Sequence, residues 1–86
     1  MAKITKAEMP ALAEQIVKCL GGKENVARIN HCATRLRVNP VDMENVDKDG
    51  LKRLHGVIGI DSSKAELQII VGAIIEDLYL EVEKIQ

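Results

Sequence analysis

An α+β fold is predicted for this chain: a four-stranded antiparallel or mixed sheet with three helices packed on one face, in the order αββαββα. Three observations predict it. Apolar residues recur at helical spacing in Leu12, Ile16, Leu20, and again in Ile75, Leu78, Val82 and Ile85. Apolar and polar residues alternate in Arg35-Leu36-Arg37-Val38 and across Leu67-Gln68-Ile69. Glycine pairs and a proline fall at the joins, where helices and strands stop. A length of 86 residues predicts a single domain over 1–86 with its core at about 8–82. Domains near this size bury on the order of 60% of their unfolded surface, enough for a modest core.

The first helix opens at Thr5, with Glu8 three residues on as a capping box. Leu12, Ile16, Cys19 and Leu20 form its apolar stripe, so Cys19 reads as core filler. Gly21-Gly22 ends it, because glycine takes the left-handed cap conformation without penalty. Ala2 to Met9 reads as the frayed end of a linker. Lys23-Glu24-Asn25 makes a short turn. Val26 to Val38 holds two strands with a break around His31-Cys32-Ala33, and Pro40 closes the second. Asp47 caps a second helix that turns Leu51 and Leu54 inward and ends at His55-Gly56. Val57, Ile58 and Ile60 read as a third strand and Asp61-Ser62-Ser63-Lys64 as a polar turn. The fourth strand carries Leu67, Ile69 and Val71, and Gly72 breaks it before the last helix.

Composition excludes several function classes. Tyr79 is the sole aromatic residue, so a stacking platform for single-stranded nucleic acid is not expected. A net charge of −1 supplies no positive field to draw DNA or lipid. Two cysteines do not make a disulfide-dense secreted scaffold, and a reducing compartment is expected. The start, Met1-Ala2-Lys3-Ile4-Thr5-Lys6, is not a signal-peptide apolar run. The longest apolar stretch, Ile69 to Ile75, falls far short of the ~20 residues that span a bilayer, so no direct membrane insertion is expected.

The chemistry concentrates in His31-Cys32-Ala33-Thr34-Arg35-Leu36-Arg37. A thiol is a nucleophile only as thiolate, and nearby positive charge favours that form. Arginine is shaped to hold phosphate oxygens in a bidentate grip. A nucleophile beside a phosphate clamp suggests that phosphate is moved here and not merely bound. The bland reading of the same run is a buried cysteine followed by a half-buried strand whose polar face happens to be basic. Local pattern alone leaves both open.

Other constellations carry less. Cys19, His31, Cys32 and His55 follow no common zinc spacing, and Cys19 sits on the core stripe. His31 and Cys32, adjacent in a strand, point to opposite faces and make a poor nucleophile–base pair. Gly56-Val57-Ile58-Gly59 matches the glycine loop of KH domains literally, but its apolar middle fits a turn into a buried strand better. Glu24, Asp42, Glu44, Asp47 and Asp49 read as a solvated acidic surface. No metal site and no cofactor is expected.

Taken together, ordered blocks identify a family. Gly21-Gly22-Lys23-Glu24-Asn25-Val26, His31 to Arg37, Val46-Asp47, Leu51-Lys52, Gly56-Val57-Ile58-Gly59 and Leu67 to Gly72 appear in sequence. In that order they resemble the enzyme IIB domain of the bacterial phosphoenolpyruvate:sugar phosphotransferase system, glucose–glucoside branch, over roughly residues 8 to 82. The block around Cys32 is the most specific. The resemblance implies a transferase, a protein-phosphocysteine sugar phosphotransferase acting in sugar uptake. Cys32 would accept a phosphoryl group from a phosphohistidine on a IIA domain or protein. It would pass the group to a sugar held by the membrane domain IIC. The resemblance also implies a four-stranded antiparallel sheet covered by helices on one face. Ala33, Thr34, Arg35 and Arg37 would hold the phosphate or support the transition state, with His31 and Gln68 as accessory residues. The expected setting is the cytoplasmic face of the membrane, reached through IIC. The His31-Cys32-Ala33-Thr34 form looks more like β-glucoside, sucrose and trehalose members than the glucose one. Two other classes remain: a phosphorylation-dependent regulatory module of the same fold, and a non-enzymatic α+β binding domain of the KH or amino-acid-sensing kind.

Overall fold

In the computed structural model, which describes residues 4–63 and 65–85, three helices and four strands alternate in the predicted order. Helix α1 spans Met9–Cys19, α2 Lys48–Arg53 and α3 Ile75–Ile85; strands β1 to β4 span Val26–His31, Arg35–Pro40, Gly59–Ser62 and Leu67–Ile70. The sheet order is β1-β2-β4-β3, and every neighbouring pair is antiparallel. That settles the antiparallel-or-mixed alternative. Hairpins β1–β2 and β3–β4 are joined through β2 and β4, so both central strands lie in the interior of the sheet.

Strand alternation divides the sheet into two faces. Leu36 and Val38 on β2 and Leu67 and Ile69 on β4 are fully buried against the helices. Leu12, Ala13, Ile16, Val17 and Leu20 from the first helical segment meet Ile75, Leu78 and Val82 from α3 in the same core. The intervening positions form the open face. Asn30, Arg37, Gln68 and Asp61 are aligned across all four strands, with Arg35, Ile70 and Gly59 as the next row. The predicted register, with Leu36 inward and both arginines outward, is the one observed.

Local chemistry explains the boundaries. A 3-10 turn over Lys6–Glu8 precedes α1, and the Glu8 carboxylate accepts from the Thr5 N–H at 3.2 Å and the Thr5 hydroxyl at 3.0 Å. The segment before α1 is therefore not a frayed end in its described part: Met9 is buried and Ile4 packs on the core. Asn25, which the sequence reading left in a plain turn, is buried and ties three segments together. Its side-chain N–H groups donate to the carbonyls of Leu20 (2.7 Å) and Asp42 (2.9 Å), and its oxygen accepts from Asp42 N–H (2.8 Å). Asp47 caps α2 as expected, accepting from Gly50 N–H at 2.9 Å.

The third strand needs a correction. It begins at Gly59 and not at Val57, and it takes in Asp61 and Ser62, which the polarity pattern had assigned to the turn. β3 is an edge strand, so polar side chains face solvent there without cost. The connection to β4 is closed by Ser63 N–H donating to the Glu66 carbonyl at 2.9 Å; Lys64, expected in that turn, lies outside the described residues. Val57 and Ile58 form the approach to β3, and Ile58 stays 67% exposed.

Candidate functional site

The break between β1 and β2 is a tight loop, Cys32-Ala33-Thr34, whose ends are held by backbone bonds. Cys32 N–H donates to the Arg35 carbonyl at 2.9 Å. On the far side, the Thr34 carbonyl accepts two bonds, from Val71 N–H at 3.0 Å and Gly72 N–H at 2.9 Å. The loop at the end of the β1–β2 hairpin is thus bound to the end of β4. Only one of these bonds is local, so the break was visible in the sequence and its anchor was not.

Cys32 is half-buried, and its thiol is free. The Thr34 backbone N–H holds it below the ordinary thiol range, aided by the Arg35 N–H and the Arg37 guanidinium, while desolvation opposes them. Each of these groups favours the anion because it presents hydrogen or positive charge to sulfur. Cys19 is the opposite case: desolvation and the nearby Asp47 carboxylate push its thiol up. The two thiols sit at opposite ends of β1. Cys19 O accepts from Asp47 N–H at 2.6 Å near the Asn25 end. Cys32 follows the other end, a strand length of on the order of 20 Å away.

The arginines are placed differently. Arg37 is half-buried and beside Cys32, and its Nε is closed off from solvent with no partner among the described residues. It is not the plain surface charge that its place on a polar face suggested. Arg35 Nη1 donates to Gln68 Oε1 at 2.7 Å and lies 3.7 Å from the Asp61 carboxylate. Gln68 in turn donates to Glu66 Oε1 at 2.7 Å. Gln68 therefore belongs to the site through Arg35. Ala33 and Thr34 are exposed at the loop tip.

His31 is the last residue of β1 and faces the helical layer, as its register opposite Leu36 requires. Its ring packs against Tyr79 of α3, with centroids 4.4 Å apart and planes tilted by 50°, and Nδ1 lies 3.1 Å from the Cys32 carbonyl oxygen. A carbonyl only accepts, so Nδ1 carries the proton in that contact. His31 thus touches the backbone of Cys32 while pointing away from the open face. Tyr79 was read only as the sole aromatic; its role here is tertiary, and no local pattern announces it.

The site is a loop with an exposed tip, flanked by the half-buried Cys32 and Arg37. A groove between the Lys6 turn and α3 is lined by Met9, Leu80 and Lys84, and none of the residues around Cys32 lines it. No group of three or more metal-ligating side chains occurs among the described residues, and none of the described helices is long and apolar enough to cross a membrane.

Comparison with known proteins matches this geometry to a family. The model described as phosphotransferase system, EIIB matches residues 14–47, a span that includes Cys32, Arg35 and Arg37. The sucrose-specific EIIBC component of the PTS system of Vibrio alginolyticus is 38% identical over 77 residues, 88% of this chain and 16% of that protein. The β-glucoside-specific EIIBCA component of Bacillus subtilis (strain 168) is 41% identical over 68 residues, 79% of this chain and 11% of that protein. A solved domain of the PTS system IIabc component from Clostridium difficile aligns with a TM-score of 0.86 at 33% identity, covering 94% of this chain and 85% of that one. The chain spans 16% or less of the length of these two curated relatives.

Proposed function

The chain belongs to the EIIB family of the phosphotransferase system, and from that premise we propose that Cys32 is its phosphoryl carrier, loaded by a IIA phosphohistidine and unloaded onto a sugar bound by a IIC domain. The observation that carries this reading is the convergence on one thiol of the Thr34 and Arg35 N–H groups and the Arg37 guanidinium. These are the groups that a thiolate, and then a phosphothiolate, needs around it.

In the first transfer the Cys32 thiolate attacks phosphorus in line. The N–P bond of the donor breaks as the S–P bond forms, and the donor histidine leaves with a proton from solvent. In the second, a sugar hydroxyl attacks the same phosphorus, the S–P bond breaks, the thiolate returns, and the hydroxyl proton passes to a base on the sugar-bearing domain. Phosphoryl transfer asks little covalent chemistry of the protein, so positioning and charge stabilisation do most of the catalysis. Thr34 and Arg35 N–H groups make a small anion nest. Arg37, with its unpartnered Nε, neutralises the equatorial oxygens. Arg35, steadied by Gln68, lies at the rim, where it meets the incoming phosphate or the partner domain. Ala33 leaves the loop tip open to both partners, and the Thr34 hydroxyl supplies one more donor.

The sugar is chosen by IIC. Relatives of equal similarity are named for sucrose, for β-glucosides and for N-acetylmuramic acid, so a glucoside or disaccharide acceptor rests on the His31-Cys32-Ala33-Thr34 form. The relatives' EIIBC and EIIBCA names favour IIC and IIA as the partners, with work at the inner face of the membrane.

Incubation with phosphoenolpyruvate, the general phosphotransferase proteins and a panel of IIA domains tests the reading. Mass spectrometry should find one phosphate, carried on the Cys32 sulfur. Cys32→Ala should take up none and Cys19→Ala should take up the normal amount. A phosphate that persists in folded Cys32→Ala overturns the assignment.

A further inference from the structure

Resting on the reading of Cys32 as carrier, we propose that His31 is a positioning residue for the thiol loop. Its Nδ1–H takes the Cys32 carbonyl that would otherwise close the hairpin turn, and so leaves the Arg35 N–H free to face the sulfur and its phosphate.

The observation that carries this is a bond the turn does not make. Cys32 and Arg35 are the first and last of the four residues that reverse the chain between β1 and β2. Residues that face each other in such a position exchange two backbone bonds, and the one from the last N–H to the first carbonyl closes a β-turn. Here Cys32 N–H donates to the Arg35 carbonyl at 2.9 Å, and the reciprocal bond, from Arg35 N–H to the Cys32 carbonyl, is not made. The Cys32 carbonyl has a different partner, His31 Nδ1 at 3.1 Å.

The ring that takes it is anchored from another element. His31 faces the helical layer, and its ring packs against Tyr79 of α3 with centroids 4.4 Å apart. In a regular pair the carbonyl is aimed at the opposite strand. Bound to a ring on the helical side, the Cys32 carbonyl leaves that line.

The donor is held from a third direction. The Thr34 carbonyl accepts from Val71 N–H at 3.0 Å and Gly72 N–H at 2.9 Å. Those bonds hold the plane of the Thr34–Arg35 peptide, and with it the direction of the Arg35 N–H. Two acceptors of Cys32 compete for that N–H, the carbonyl oxygen and the sulfur. Oxygen is the stronger acceptor than a thiol, so the sulfur is served while the oxygen is engaged elsewhere. The Arg35 N–H does favour the Cys32 thiolate, in accord with the open turn.

Ring packing and hydrogen bonding make opposite demands on substitution, so three variants separate them. His31→Phe keeps a ring against Tyr79 and loses the donor. His31→Asn loses the ring and keeps an N–H where Nδ1 stood, since both nitrogens are bonded to Cγ. His31→Leu has the shape of asparagine and no donor.

Two readouts test them. The first is the NMR coupling across a hydrogen bond between the Arg35 amide nitrogen and the Cys32 carbonyl carbon, which reports turn closure directly. The second is the rate of phosphoryl uptake from a phosphorylated IIA domain. The parent and His31→Asn should show no coupling; His31→Phe and His31→Leu should show it. Uptake should slow roughly three- to tenfold in His31→Phe and His31→Leu, the equivalent of one neutral hydrogen bond, and less than about twofold in His31→Asn. Should His31→Phe not fold by circular dichroism, His31→Leu against His31→Asn carries the comparison. A coupling in the parent overturns the proposal. So does its absence from the folded variants without a donor, uptake in them at the parent rate, or a His31→Asn slowed as far as His31→Leu. The two readings fail separately. If the parent takes no phosphate from any IIA domain while the couplings appear as stated, the carrier role falls and the control of the turn by His31 stands. If the parent takes phosphate and the couplings do not appear, the positioning role alone falls.

Discussion

Arg37 lies directly opposite Gln68 across the β2–β4 pair, yet the Gln68 side-chain oxygen takes its hydrogen bond from Arg35, at 2.7 Å. The two arginines are two residues apart on one face of one strand, and their neighbours differ in kind. Arg35 is engaged sideways with Gln68 and, at 3.7 Å, with Asp61. Arg37 is left beside Cys32, with a shielded Nε that no group among the described residues satisfies. A buried donor without a partner is costly, and under the proposed function a phosphate oxygen would satisfy it.

Under the proposed function this asymmetry predicts unequal kinetic losses. Arg37→Ala should slow phosphoryl uptake by roughly 10- to 100-fold, the equivalent of one hydrogen bond to a charged group. Arg37→Lys should recover little of it, because an ammonium cannot reproduce the guanidinium fork. Arg35→Ala should cost less than about fivefold, in keeping with a partly exposed pair. Rapid-quench measurement from a phosphorylated IIA domain ranks the three. If Arg35→Ala proves the slower variant, the division of roles drawn from Gln68 is wrong.

The thiols should titrate on opposite sides of the ordinary value of about 8.5. Cys32 lies below it because of the Thr34 N–H, then the Arg35 N–H and Arg37. Cys19 lies above it because of desolvation, then Asp47. Native-state alkylation should therefore reach half-maximal rate at lower pH for Cys32, and Cys32 should react faster at neutral pH. The stability consequence has a definite sign. A depressed thiol pKa adds stability that is fully present above the unfolded value and is lost as pH falls through the folded one. Cys32→Ala should thus lower Tm relative to the parent more in alkaline than in neutral buffer. A difference that grows as pH falls contradicts the direction of the shift.

Much of this fold was legible because its signals are local. The stripe Leu12-Ile16-Leu20 and the alternation through Leu36 and Val38 state which side is inward before any partner is known. The hairpin break at Cys32 was legible for the same reason. What was not legible depends on neighbours distant in sequence. Asp61 and Ser62 look like turn residues until β3 is seen to be an edge strand that tolerates them. Arg37 looks like a surface charge until Cys32 folds back beside it. The Val71 and Gly72 bonds to Thr34, and the tilted ring contact of Tyr79 with His31, join residues that no window brings together. The family resemblance supplied the role proposed for Cys32; the separation of Arg35 from Arg37 came from the geometry.

Two buried residues should dominate stability in different ways. Leu36 is fully buried in the centre of the sheet. Leu36→Ala removes apolar surface and leaves a void, with an expected cost of about 2–5 kcal/mol. Asn25→Ala strips partners from the Leu20 carbonyl and from both backbone groups of Asp42. Leaving those groups unsatisfied should cost about 1–3 kcal/mol. Asn25→Asp should not restore it, because a carboxylate accepts but cannot donate to the two carbonyls. Urea denaturation at constant m-value measures both. A neutral Asn25→Ala would mean that water replaces the side chain, and the link between α1 and the segment after β2 would carry no energy.

The phosphodonor and the sugar-bearing domain must each bring phosphorus or hydroxyl to the same sulfur, so the proposed mechanism gives them one shared face. That face holds Arg37 and Arg35 at its centre, with the exposed Ile58 beside Gly72 as an apolar member. The acidic stretch Asp42 to Asp49 lies elsewhere: Asp42 is bonded to Asn25 and Asp47 to Cys19, at the end of β1 remote from Cys32. One surface that must release two partners in turn calls for small, wet, short-lived interfaces. Arg37→Glu should slow transfer steeply, since it replaces the cation beside the phosphate with an anion. Ile58→Ser should raise the KM for the phosphorylated IIA domain with little effect on Tm, because the side chain is already largely in water. Asp49→Lys should change neither. Chemical-shift mapping with a IIA domain should perturb residues 32–37, 58 and 70–72. Perturbations centred on Asp42 to Asp49, with the Cys32 loop silent, would refute the shared face.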